Sequence, residues 1–119
     1  MQLMEIPTSI FNEISASMLD YIDLVPYTDE KEYPFSYDDN GFMIEGIATI
    51  GGTWKEDGDG YFNQCETMLT DGWSSLDSLE VSAFNETTGE LAKVSSKSVE
   101  RLADFLDSEL QKFMKHQIA

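Results

Sequence analysis

The chain has few of the residues on which common catalytic and metal-binding sites depend. It contains one cysteine, Cys65, and one histidine, His116, among 119 residues. A single cysteine excludes both an intramolecular disulfide and a zinc site built on cysteines. The two residues would have to meet by chance of folding to form a nucleophile and its base. The sequence also lacks a phosphate-binding glycine loop, a nucleophile elbow and a histidine-based metal motif. We therefore expect a protein that is not an enzyme and has no cofactor.

Basic residues are also scarce. Seven Lys and Arg stand against 23 Asp and Glu, which gives a formal net charge of -16. Direct binding to nucleic acid or to an anionic membrane is disfavoured, because both depend on cationic contacts with phosphates. Residues 1–92 carry a charge of -17, whereas residues 93–119 carry +1. The acidic field therefore belongs to the part of the chain before the last helical segment.

Proline and long apolar runs are the remaining absences. With three prolines and no repeat or low-complexity run, the chain is expected to fold despite its charge. It has no apolar run of the roughly 20 residues needed to cross a bilayer, and its first residues do not read as a signal peptide. A hydrophobic content of 41% suits one modest core. We predict a single acidic domain over residues 1–119, located in the cytoplasm.

A first helix is predicted near the start of the chain. Apolar residues between positions 10 and 22 recur at helical spacing, and either Thr8 or Ser9 can cap the helix. Pro26 marks its end. One face of this helix is expected to pack against the core.

A second helix is predicted at the end of the chain, with an apolar stripe from Val99 to Met114. Ser95, Ser96 and Ser98 offer several caps. Phe105 does not fall centrally on the stripe, so we predict that it is exposed and makes a dimer contact. The expected state is a monomer or a weak homodimer.

Between the helices, period-2 patterns broken by turn residues predict an antiparallel β-meander. The first strand follows Asp39-Asn40-Gly41, and further strands are expected at 61–70, 79–83 and 91–94, with a turn at Asp71-Gly72. Glycines 46, 51 and 52 predict a bulge, a bend or a close backbone approach. The predicted fold is α+β, with about four strands and the N-terminal and C-terminal helices packed on one face, in the order α-β-β-β-β-α.

Residues 26–40, predicted to form a loop, interleave acids with aromatic residues. One interpretation is a crossover in which Tyr33, Phe35 and Tyr37 are tucked against the sheet edge while the acids face water. The other is an exposed binding surface, because aromatic anchors are typical of protein interfaces. The acids of this segment are Asp29, Glu30, Glu32, Asp38 and Asp39.

One acidic segment imitates a calcium-binding loop. Asp57 and Asp59 fall at the third and fifth ligand positions when Gly60 is placed at the sixth. The first position is then Lys55, where a carboxylate is required, and the flanking patterns indicate strands instead of helices. We interpret the segment as a hairpin turn, with Asp57 and Asp59 as weak cation ligands at most and with no dedicated metal site.

These observations favour a non-catalytic binding or regulatory module that docks a basic or amphipathic protein partner. The candidate surface consists of the acids and aromatics of residues 29–39 together with Trp73, since acidic fields speed encounter with basic partners and aromatic side chains hold them. The alternative is a nucleic-acid mimic of bacterial or phage type, whose carboxylates imitate phosphates and inhibit a DNA-binding protein.

Overall fold

The protein forms a four-stranded sheet with a helix at each end of the chain. The computed structural model describes residues 3–25, 29–57, 66–85 and 88–118. A 3₁₀ turn at Thr8–Ile10 precedes helix α1, and the elements that follow are α1 (Phe11–Asp20), β1 (Glu30–Asp39), β2 (Phe42–Asp57), β3 (Glu66–Asn85), β4 (Glu90–Ala92) and α2 (Ser96–Gln117). None of the described helices is long and apolar enough to cross a membrane.

The strands pair antiparallel in the order β1-β2-β3-β4. The two helices pack on the same face of the sheet, where α1 lies against β1 and α2 against β3. They also contact each other, because the rings of Phe11 and Phe105 lie 5.4 Å apart. A single cluster of buried apolar side chains joins both helices to the sheet. The predicted α+β architecture is therefore confirmed.

Strand β1 occupies the segment predicted to be a loop. Its alternate residues Tyr33, Phe35 and Tyr37 are buried, and the acids between and beside them are exposed. Pro34 is tolerated because β1 is an edge strand, where a missing N–H need not break a ladder. The predicted turn at Asp39-Asn40-Gly41 is present, with φ values of 55° at Asn40 and 80° at Gly41. It joins β1 to β2 as a two-residue hairpin.

The predicted turn at Asp71-Gly72 is wrong, because β3 runs without interruption through these residues. Gly72 pairs with Gly52 in β2. A methyl group at residue 72 would lie 2.6 Å from Cε of Met114 in α2. This glycine therefore allows the helix to approach the strand, which is one of the three roles expected of glycine within a strand.

Two irregularities keep the apolar face of β3 in phase with that of β2. The register shifts between Ile47 and Ala48 and again between Thr53 and Trp54. At each shift β3 carries one extra residue, Asp77 in the first case. A long β2–β3 hairpin with one buried face results. Residues 58–65, which include most of the predicted turn, Asp59 and Cys65, lie outside the described residues, as does Pro26.

The helix ends differ from the predicted caps. Helix α1 ends at Asp20, several residues before Pro26, and neither it nor the 3₁₀ turn has a side-chain cap. Ser95 occupies the N-cap position of α2 without a side-chain cap. Ser98 has another role, because its buried Oγ accepts a hydrogen bond of 2.7 Å from the N–H of Ile6.

The prediction that Phe105 is exposed is also wrong. Its ring is half-buried and packs against Phe11 of α1. The two helices share an apolar seam to which Phe105 contributes. The predicted dimer contact therefore loses the residue on which it rested.

Candidate functional site

The sheet has a second face that no described helix covers. We call it the open face. Because side chains alternate along a strand, residues one position away from the core residues point to it. The members on β1, β2 and β3 are Glu30, Glu32, Pro34, Ser36, Asp38, Met43, Glu45, Ile47, Thr49, Thr53, Asp71, Trp73, Ser75, Asp77, Ser78, Glu80, Ser82 and Phe84.

A groove of about 420 Å³ crosses the open face over the three longer strands. Pro34 and Ile47 form its apolar walls, and Glu45 and Glu80 stand directly opposite each other in the register of β2 and β3. Both glutamates are exposed. The groove thus combines an apolar floor with a pair of facing carboxylates.

Behind the groove, on the helix-covered face, the ring of Phe35 packs over Gly46, and a tyrosine that follows α1 completes the rim of the groove. A methyl group at Gly46 would lie 2.5 Å from Cζ of Phe35 and 2.8 Å from the carbonyl oxygen of Ser78. Only glycine therefore leaves space for the ring. Tyr21, just after α1, lies at the rim with its Oη 3.3 Å from Oγ of Ser36.

A second, smaller concavity of about 90 Å³ surrounds Trp73. The Trp73 side chain is 48% exposed, and its indole lies over Gly51, where an added methyl group would sit 2.3 Å from Nε1. Asp29 and Asp71 line the same concavity. The N–H of Gly52 donates to the carbonyl oxygen of Asp29 over 2.9 Å, which ties the start of β1 to this place.

Asp77 lies between the two concavities, at the first register shift. Its carboxylate accepts hydrogen bonds from Oγ1 of Thr49 and, over 2.7 Å, from Oγ of Ser75. The bond from Thr49, followed by the bond from Ser75, holds the pKa of Asp77 below its usual value. The acidic groups of the open face therefore extend from the groove to Trp73.

The site residues predicted from the sequence fall into a buried group and an exposed group. Tyr33, Phe35 and Tyr37 are 5%, 3% and 9% exposed, in agreement with the interpretation that they are tucked against the sheet. Their burial removes them from the set of surface anchors. The predicted acids Asp29, Glu30, Glu32, Asp38 and Asp39 are exposed, and so is Trp73. Of these, Asp29 lies beside Trp73.

Hydrogen bonds hold the two tyrosines of β1 in place. Oη of Tyr33 donates to the carbonyl oxygen of Asp23 over 2.6 Å, and Oη of Tyr37 donates to Oε2 of Glu13 over 3.0 Å. Burial raises the pKa of each phenol. Both tyrosines therefore fix β1 against the α1 region.

Glu45, Glu80 and Tyr21 line the groove but were not among the site residues predicted from the sequence. Each glutamate interrupts an apolar stretch, between Ile44 and Gly46 or between Leu79 and Val81, which is the signal of a half-buried strand with a polar face. Their proximity depends on the pairing of β2 with β3, and a predicted turn at residues 71–72 concealed that pairing.

No group of three or more potential metal ligands occurs among the described residues. The side chain of Asp57, all of Asp59 and Cys65 lie outside them. Within the described parts of the chain, Asp57 and Glu66 pair between adjacent strands, so the flanks of the acidic segment are strands, as predicted. His116 is exposed on α2.

Comparisons with known proteins give no family for this chain. No family model, curated protein or solved structure matches it.

Proposed function

We propose that the protein is a non-catalytic binding module that docks a basic segment of a partner protein on its open face. One observation carries the proposal: a half-exposed Trp73 lies on an uncovered sheet face whose charged residues between positions 43 and 53 and between 71 and 82 are all acidic. Aromatic anchors within a field of one charge sign are typical of a protein-binding surface.

The rest of the molecule has a different charge. Residues 93–119, most of which form α2, carry +1, and five of the seven basic residues lie there. Helix α2 packs on the opposite side of the sheet from the open face. A basic partner would therefore be attracted to the open face and the adjacent acids of β1, which speeds productive encounter.

A nucleic-acid mimic is the second candidate, and the shape of the molecule favours it. The protein measures 67 × 22 × 21 Å. Its net charge of -16 nevertheless gives roughly one charge per 4 Å of length, compared with one per about 1.7 Å in duplex DNA. The exposed Trp73 has no counterpart in a row of phosphates. Because of the lower charge density and the exposed indole, we place nucleic-acid mimicry second to the docking of a basic protein segment.

A pull-down from a host lysate at low and high salt, with and without competing DNA, tests the proposal. Trp73→Ala is the test variant. Phe84→Ala is the matched control, because Phe84 is another exposed aromatic residue on the open-face side of β3 but lies eleven positions from Trp73, at the far end of the strand. We expect a partner that Trp73→Ala loses, that Phe84→Ala retains and that DNA does not displace.

Two results would contradict docking at the open face. Partners released by competing DNA regardless of Trp73 would favour mimicry instead. Equal recovery with Trp73→Ala and with the unmodified protein would remove Trp73 as an anchor. Alanine at Tyr33, Phe35 or Tyr37 is unsuitable as a test, because truncating these buried side chains would destabilise the fold.

A further inference from the structure

We infer that the groove of the open face holds an arginine side chain from an extended segment of the partner, with its guanidinium between Glu45 and Glu80. The inference rests on the proposed function and adds the chemistry of the partner. It comes from the groove's shape and from the two carboxylates that face each other across it.

The glutamates leave a charge uncompensated. Like charges directly opposite on neighbouring strands destabilise a sheet. Neither glutamate forms an ion pair with any residue in the part of the chain that the structure describes. A cation from outside the chain would relieve the repulsion between Glu45 and Glu80.

The groove suits arginine better than lysine. A planar guanidinium can donate to both carboxylates at once and can also lie on an aromatic or apolar surface. Pro34 and Ile47, which pair between β1 and β2, supply that surface, and the volume of about 420 Å³ leaves room for the side chain and part of its backbone. A lysine ammonium gains less from such a surface because it is more strongly hydrated.

The position of the second concavity, around Trp73, indicates the direction in which the partner's bound segment would run. Trp73 pairs with Gly51, and Glu80 pairs with Glu45, so the two places lie six residues apart along β2. Six residues of extended chain span about 20 Å. A segment that follows β2 would thus place a second cationic residue, six positions from the arginine, over Trp73 and beside Asp71.

Synthetic peptides test the inference directly. The probe is a serine-rich peptide, blocked at both ends, whose only charged residues are two arginines six positions apart. Its companions carry citrulline, which is neutral, or lysine at each arginine, or place the arginines two positions apart. Isothermal titration calorimetry at low salt measures the dissociation constants. We expect the probe to bind tightest, and Glu45→Gln and Glu80→Gln each to weaken its binding about tenfold.

Glu32→Gln is the matched control, because Glu32 is an exposed acid that does not line the groove. We expect it to weaken binding by less than about twofold. The two groove variants should also melt at a higher temperature than the unmodified protein without peptide, since each removes the like-charge pair.

The inference is overturned if the probe does not bind, if the citrulline or lysine peptides bind as tightly, or if Glu32→Gln weakens binding as much as the groove variants do. Its failure can be told from failure of the proposed function. A partner recovered in a Trp73-dependent manner by the protein with both Glu45→Gln and Glu80→Gln would leave docking at the open face intact and exclude the groove.

Discussion

The buried tyrosines of β1 show how single residues decide which face of an acidic strand becomes core. Tyr33 is 5% exposed, yet its hydroxyl reaches the carbonyl oxygen of Asp23 and so keeps its hydrogen bond. Burial raises the pKa of Tyr33, and the negative charge of Asp23 adds to the effect. An amphipathic side chain of this kind can close a core beside a row of exposed acids.

We expect Tyr33→Phe to reduce the free energy of unfolding by about 1 kcal/mol at neutral pH, because the variant loses the donor to Asp23. The folded state holds the phenol proton more tightly than the unfolded chain does. The contribution of Tyr33 is therefore complete below the unfolded pKa of about 10 and is lost as pH rises towards the higher folded pKa. Urea unfolding across the alkaline range measures both effects, and the difference between the two proteins should shrink above pH of about 10.

Tyr21→Phe is the control for this experiment. Tyr21 is 48% exposed, and its hydroxyl meets only the exposed Ser36 side chain among the described residues. Its replacement should change the free energy of unfolding by less than about 0.5 kcal/mol. If Tyr33→Phe is as stable as the unmodified protein at neutral pH, the hydrogen bond to Asp23 contributes nothing measurable.

At the scale of elements, the sequence predicted the helices and the one-sided sheet but misplaced two strands. Pro34 and the surrounding acids indicated a loop, whereas an edge strand accepts both. Asp71-Gly72 resembled a turn because the local sequence does not reveal that Met114 of α2 requires space there. In both cases a tertiary contact overrode the local pattern.

The candidate site was predictable to a similar extent. Trp73 and the acids of β1 were identified because aromatic and charged residue types are visible in any sequence, whereas the burial of Tyr33, Phe35 and Tyr37 is not. The groove was not identified, because it depends on register: only the pairing of Glu45 with Glu80 and of Pro34 with Ile47 assembles it. Period-2 alternation assigns residues to faces, but it does not determine which residues stand opposite one another.

Ser98 provides a test at the same scale. Its Oγ accepts the N–H of Ile6, so it joins the segment before α1 to the first turn of α2. We expect Ser98→Ala to cost about 1–3 kcal/mol, because a buried N–H is left without an acceptor. Urea unfolding measures the loss, and amide hydrogen exchange at Ile6 should be faster in the variant.

Ser95→Ala is the matched control, since Ser95 occupies the N-cap position but has no side-chain cap. Ser95→Ala should reduce the free energy of unfolding by less than Ser98→Ala does. This order is the reverse of the usual one, because a serine at the N-cap is ordinarily more sensitive to replacement than a serine within the first turn. The reverse order would mean that Ser95 caps α2 in solution and that the Ile6 contact is dispensable.

For the whole molecule, the important feature is the separation of charge. The first 92 residues carry -17 and the remainder +1, and the described acids of β1 and the open face have few cations near them. Their mutual repulsion is weakened when salt screens the charges. Net charge of this size therefore acts against the compact state even while it keeps the protein soluble.

We expect added salt to raise the melting temperature, because screening relieves the repulsion among the carboxylates. Circular dichroism over a series of sodium chloride concentrations at a fixed pH of about 7 measures the effect. Melting temperatures that do not change with salt would show that the acids are well separated or paired.

Asp77 should make the stability of the whole molecule depend on pH in the acid range. Its pKa is lowered by the bonds from Thr49 and Ser75, so its contribution to stability is present above the unfolded value of about 4 and is lost as pH falls through the folded one. Stability should therefore decrease as pH falls below about 4. Asp77→Asn removes the titrating group, and we expect its decrease on the acid side to be shallower than that of the unmodified protein. If the stability of both proteins decreases equally at acidic pH, carboxylates other than Asp77 determine the decrease.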